Sequence, residues 1–152
     1  MIDEIYLFQD QFNESLVNAA TDITGYGFIG HLKEMVESSN LFRERNNLKP
    51  IKVLLDLTSF KAYPGVFDLI HKGIKSSLFE SNKEIFDQII AEKSNDRIIA
   101  FSKRNKVNSD SFKEKISLLL DPQTCGPLLI CCAPKYEKFL KDEWYKVGEV
   151  IN

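Results

Sequence analysis

Three things are scarce in this 152-residue chain: long apolar runs, an excess of positive charge, and cysteine outside its last third. No run approaches the roughly 18 apolar residues that a spanning helix needs, and the opening MIDEIYLFQDQ lacks a basic region followed by an apolar stretch. A membrane protein is therefore not expected. Twenty Lys and Arg against 22 Asp and Glu leave a net charge of -2, so no overall positive field argues for nucleic acid or an anionic membrane as partner. The three cysteines, Cys125, Cys131 and Cys132, have none far upstream to clip a long loop or to complete a zinc site. They read as free thiols in a reducing compartment, and the expected location is the cytoplasm.

What remains is an ordinary globular composition. A chain of this length buries roughly two thirds of the surface its unfolded form exposes, and no linker or repeat divides it, so residues 1–152 read as one domain.

Helical and extended signals interleave. Phe12, Leu16 and Val17 sit at helical spacing and predict a short helix over residues 9–19. Phe28, Ile29, Leu32, Met35 and Val36 form one apolar stripe of a helix that SSN at 38–40 ends. LFRERNNLKP reads as a polar connector, and IKVLLDLTSF predicts a strand over 51–60. Pro64 and Gly65 open a helix over 66–72 that Gly73 stops.

Residues 74–82 read as loop, KEIFDQIIAEK at 83–93 as a third amphipathic stretch, and 97–103 and 128–133 as strands. PKYEKFLKDE begins with proline as helices often do, and WYKVGEVIN suits a last strand. The expected fold class is α/β (α+β), a mixed sheet layered with helices.

Two stretches carry candidate chemistry. In TDITGYGFIGH, residues 21–31, Asp22 precedes Thr24, a residue type that caps helix N-termini, and the following helix aims amide groups and a partial positive charge at what lies before it. That suits a phosphate or an acidic side chain. Gly25 and Gly27 allow close approach or positive φ, and Gly27 and Gly30 share a helix face for tight packing. The same spacing also fits a plain N-capped helix lying on a sheet. In DPQTCGPLLICC, residues 121–132, Pro122 holds Asp121 extended, and Gln123 and Thr124 add short polar groups before Gly126 permits a turn. Alone, this is a polar loop entering a buried strand. Cys131 and Cys132, adjacent in that strand, point to opposite faces and read as core.

Together the two stretches resemble a known family. TDITGYGFIGH is similar to the T-D-V-T-G-F-G-L-L-G-H motif, and DPQTCGPLLI to the D-P-Q-T-S-G-G-L-L motif, of the selenophosphate synthetases, also called selenide, water dikinases. Pro64, Gly65, Gly73 and Asn82 match that family's P-G segment with its later glycine and asparagine, and VGEV at 147–150 resembles its closing strand. The resemblance covers the family's C-terminal half, which is like the C-terminal domain of aminoimidazole ribonucleotide synthetase.

The resemblance implies a phosphotransferase that makes selenophosphate, AMP and phosphate from selenide, ATP and water. It implies that Asp22 is a Mg2+ ligand, that Thr21, Thr24, Gly25, Gln123 and Thr124 face the ATP phosphates, and that no catalytic residue lies in this chain. Magnesium is held by one or two carboxylates plus phosphates and waters, so Asp22 is expected to form part of a site completed by an N-terminal ATP-binding domain, which is absent here. The isolated chain is then inactive, and the full-length enzyme is a homodimer.

Two positions depart from the family pattern: Cys125 stands for a serine, and Pro127 for the second glycine. Proline removes an amide donor and fixes φ near -65°. A degenerate, non-catalytic module therefore stays open, as does another enzyme of the aminoimidazole ribonucleotide synthetase-like group. His31 is expected to serve the structure, and His71 to interact with the C-terminal end of the 66–72 helix.

Overall fold

The computed structural model describes residue 6 and residues 15–92, 98–102, 109–123, 126–140 and 143–152. The chain opens on strand β1 (Val17–Asp22), continues through helix α1 (Gly27–Arg45) and strand β2 (Lys52–Leu55), and then forms helices α2 (Val66–His71) and α3 (Phe79–Ala91). Strand β3 (Ile99–Phe101), helix α4 (Ser109–Leu120), strand β4 (Leu128–Cys132) and strand β5 (Gly148–Ile151) complete it.

The strands form two ladders. β2 lies at the centre of a three-stranded mixed sheet, parallel to β3 and antiparallel to β5. β1 and β4 form a separate antiparallel pair that sets Asp22 opposite Leu128 and Ala20 opposite Ile130. This is the α+β arrangement of helices and mixed sheet that the alternating pattern predicts.

One core joins the parts. Phe28, Ile29, Leu32 and Val36 of α1 are buried against Val53 and Leu55 of β2, Ile89 of α3 and Ile116 of α4. Met35, the fifth residue of the stripe, packs half-buried at its margin. Burying each such side chain stabilises the fold by about 1.5–3 kcal/mol. Aromatic edges lock the periphery: Phe101 of β3 meets Phe86 of α3 and Phe112 of α4, both edge to face.

Several elements differ from expectation. Val17 belongs to β1 and Leu16 is buried against Tyr136, so the helix expected over 9–19 does not form over residues 15–19; residues 9–14 lie outside those described. Three apolar residues fit either period, and pairing with β4 decides between them.

α1 does not stop at 38–40. Ser39 Oγ donates back to the Met35 carbonyl, which a helix tolerates, and Asn40 bonds the main chain of Ile51 in both senses, at 3.0 and 2.7 Å. The helix ends after Arg45, where Asn47 adopts a positive φ of 53° and the amides of Asn47 and Leu48 return to Glu44 and Arg43.

The strand expected over 51–60 ends at Leu55. Asp56 Oδ1 accepts from both the amide and the hydroxyl of Thr58, turning the chain into a short 3-10 helix. α3 begins at Phe79, so part of the expected 74–82 loop is helical. Residues 134–139 are a 3-10 rather than an α-helix. The sequence reading assigns no element to residues 109–120, which form α4, although Phe112, Ile116, Leu119 and Leu120 carry its stripe.

Candidate functional site

The two motif stretches, far apart in sequence, are bonded to one another through their backbones. At the end of β1 the amide of Ile23 donates to the carbonyl of Pro127 at 3.0 Å. The carbonyl of Thr24 then accepts from the amide of Gln123 at 3.0 Å and from that of Gly27 at 3.1 Å. A proline at 127 therefore remains compatible with docking, because its carbonyl makes the contact and its missing amide is not needed for it.

Gly126 and Gly27 set how closely these segments approach. A Cβ on Gly126 would stand 1.5 Å from the Ile23 carbonyl oxygen. Gly27 has φ +63°, and a Cβ there would lie 2.8 Å from backbone atoms of Leu119 and Leu120. Both positions exclude any larger residue. Gly25 differs: its φ is not positive, and an added Cβ would touch only Leu78 Cδ1, at 3.9 Å. Gly30 is crowded by the Cβ of Tyr26, so of the expected pair only Gly27 packs against a distant element.

Asn82 fastens the arrangement. It is 3% exposed, and its Nδ2 donates to the carbonyls of Gly25 at 3.0 Å and Leu120 at 2.9 Å. One side-chain amide thus holds the first motif and the end of α4, which leads into the second. The sequence reading recorded Asn82 only as a matching residue; the signal for its role was a polar residue on the apolar face of a helix.

Asp22, the last residue of β1, is exposed, and among the described residues its carboxylate makes no hydrogen bond or ion pair. Burial alternates along the strand, so Thr21 is half-buried and its side chain lies on the other face from Asp22. Among the described residues Thr21 Oγ1 reaches only the Asp22 carbonyl, at 3.3 Å. The Gln123 side chain donates to the Asp121 carbonyl at 3.2 Å. Thr124 and Cys125 lie outside the described residues.

Thr24 does not cap α1. The helix starts at Gly27 with Tyr26 at its N-cap and no side-chain cap bond, because a turn closed by the Thr24 carbonyl and the Gly27 amide comes first. Thr24 Oγ1 instead lies 3.0 Å from His31 Nε2. His71 ends α2 as expected, but its imidazole bonds Glu114 of α4.

The metal expectation can be tested on the donors present. Among the described residues no group of three or more His, Cys, Asp or Glu side chains could hold an ion. Asp22 fits magnesium only as one carboxylate beside phosphates and waters. Cys131 and Cys132 offer little nucleophilicity, because burial pushes both thiols up from their ordinary range.

A concavity of about 330 Å³ lies between α2 and α4 and reaches Asp121. Leu69, Ile70 and Leu118 line it, and the buried Ser76 Oγ at its wall has no hydrogen-bond partner among the described residues. No helix among those residues is long and apolar enough to cross a membrane.

Against known proteins, the family model described as AIR synthase related protein, C-terminal domain, matches residues 1–152. A protein named selenide, water dikinase from Photobacterium profundum is 33% identical over 129 residues, 85% of this chain and 29% of that protein. One of the same name from Geobacter sp. (strain M21) is 32% identical over 117 residues, 76% of this chain and 26% of its own length. Another, from Salmonella typhimurium, is 30% identical over 125 residues, covering 82% and 28%. The chain thus spans under a third of the length of these curated relatives, and the resemblance read from its motifs holds over most of its residues.

Proposed function

Because the chain belongs to the family of AIR synthase related protein C-terminal domains, we propose that it is the C-terminal domain of a selenide, water dikinase. The reaction joins ATP, selenide and water and yields selenophosphate, AMP and phosphate. The observation that supports this reading is the bonding of Ile23 and Thr24 to Pro127 and Gln123 next to Asp22, whose exposed carboxylate has no partner among the described residues.

In this reading Asp22 supplies one carboxylate to Mg2+, and the N-terminal ATP-binding domain of the same enzyme supplies the rest. When bound, the ion neutralises charge on the phosphates. This chain's own groups orient the phosphate chain: Thr21, Thr24, Gly25, Gln123 and Thr124 face it. Asn82, Gly126 and Gly27 keep those groups in place. No residue here performs bond making, so the isolated chain is inactive. The full-length enzyme works in the cytoplasm as a homodimer.

Replacing the matched region of the Photobacterium relative with this chain tests the reading. The chimera is expected to form AMP in a selenide-dependent way, and Asp22→Asn to reduce that rate by at least about 100-fold, the scale of losing one group that stabilises transition-state charge. An inactive but folded chimera, or an active Asp22→Asn variant, overturns it. Selenide-dependent AMP production by the 152 residues alone overturns the division of labour.

A further inference from the structure

The ring of His31 is fixed from three sides. Its Nε2 lies 3.0 Å from Thr24 Oγ1, its Nδ1 lies 3.2 Å from Glu34 Oε2, and the Tyr26 ring leans against it with centroids 5.5 Å apart. The His31 side chain is 11% exposed, whereas that of Glu34 is 59% exposed. A packed imidazole thus has a hydroxyl within hydrogen-bond distance of one nitrogen and a carboxylate close to the other, in ion-pair contact rather than in hydrogen-bond geometry.

Elementary donor accounting orders this chain of contacts. A carboxylate oxygen 3.2 Å from Nδ1 repels a lone pair there, which favours the tautomer with the hydrogen on that nitrogen. A neutral imidazole has a single N–H, which leaves Nε2 with a lone pair. The Thr24 hydroxyl must then donate inward to Nε2. Having one hydrogen and two lone pairs, it presents only lone pairs to the loop surface. The hydroxyl is not otherwise engaged at the helix start, since α1 has no side-chain cap.

We propose that His31, oriented by Glu34, is a positioning residue that fixes Thr24 as a hydrogen-bond acceptor, so that the loop takes a donor there, such as cation-bound water, rather than a bare phosphate oxygen. Thr24 stands two residues past Asp22. The placement beside a cation rests on the reading of Asp22 given above; the relay of Thr24, His31 and Glu34 does not. Under both, Thr24 meets the phosphate chain through water of the ion's shell.

Long-range 1H–15N spectra of the 152-residue chain with labelled histidine read the tautomer directly. At mildly alkaline pH, His31 is expected to show a protonated Nδ1 and an unprotonated Nε2. Glu34→Ala is expected to shift the population toward the Nε2–H form. Hexamminecobalt(III), an exchange-inert stand-in for a hydrated cation that offers only N–H donors, is expected to shift the Thr24 methyl resonance, and inorganic phosphate to leave it unmoved. Thr24→Ser keeps the cobalt response of the residue-24 amide, and the similarly shaped Thr24→Val loses it.

An Nε2–H tautomer in the unsubstituted chain, a tautomer unchanged by Glu34→Ala, or a Thr24 methyl that answers phosphate or does not answer the cobalt complex overturns the proposal. None of these spectra involves ATP or selenide, so a failed dikinase assay and a failed relay remain distinguishable.

Discussion

Asn82 Nδ2 donates to the carbonyls of both Gly25 and Leu120, joining the loop after β1 to the last residue of α4 from within the core. Truncating it leaves the Leu120 carbonyl without its donor in a buried site and the Gly25 carbonyl without one in a part-buried site. Unsatisfied buried polar groups cost about 1–3 kcal/mol each, so Asn82→Ala is expected to lose about 2–4 kcal/mol in chemical denaturation. A loss under about 1 kcal/mol would mean that neither bond matters.

Gly126 and Gly25 form a contrasting pair. Gly126→Ala places a methyl 1.5 Å from a backbone oxygen, so the two loops must separate, and a loss above about 3 kcal/mol or failure to fold is expected. Gly25→Ala meets only a flexible leucine end at 3.9 Å and should stay within about 1 kcal/mol. Thermal melts of the two variants check the difference.

Ser76 gives a prediction of opposite sign. Its buried Oγ has no partner among the described residues, and removing such a group relieves a desolvation cost. Ser76→Ala should leave stability unchanged or raise it by about 1 kcal/mol, seen as a higher denaturant midpoint with an unchanged slope.

The thiols predict a pH dependence. Burial raises Cys131 and Cys132 above their ordinary 9.0, with Cys131 and Glu137 adding to the effect at Cys132. A raised folded pKa means that stability is fully present below the unfolded value and is lost as pH rises through the folded one. Denaturation midpoints should therefore hold up to about pH 8 and decline above pH 9, where the unfolded thiols ionise first. In the Cys131→Ala/Cys132→Ala variant this decline should flatten. Alkylation of Cys131 and Cys132 in the folded chain at neutral pH, followed site by site by peptide mass spectrometry, should run slower than that of a free cysteine.

Periodicity and local stop signals made several parts legible. The α1 stripe, the β4 run and the Gly73 stop came through because each is specified by its own residues, and Gly73 does adopt a positive φ of 72°. β1 was illegible because VNAATD has little apolar content of its own, and its pairing partner lies at the other end of the chain. The Thr24 cap failed for a related reason: the residue type was right, but Gly27 moved the helix start and the hydroxyl found His31. Motif resemblance identified the two loops, but their mutual hydrogen bonds run through backbone atoms, which side-chain identity does not encode.

The bonds from Ile23 to Pro127 and from Gln123 to Thr24 join segments roughly 100 residues apart. Closing so long a segment is entropically expensive before any contact rewards it. The rim that carries Asp22 is therefore expected to take shape only once β4 has arrived. Residues 1–120 thus hold most of the core and the Asn82 anchor of the first loop, but not the two backbone bonds that join that loop to the second.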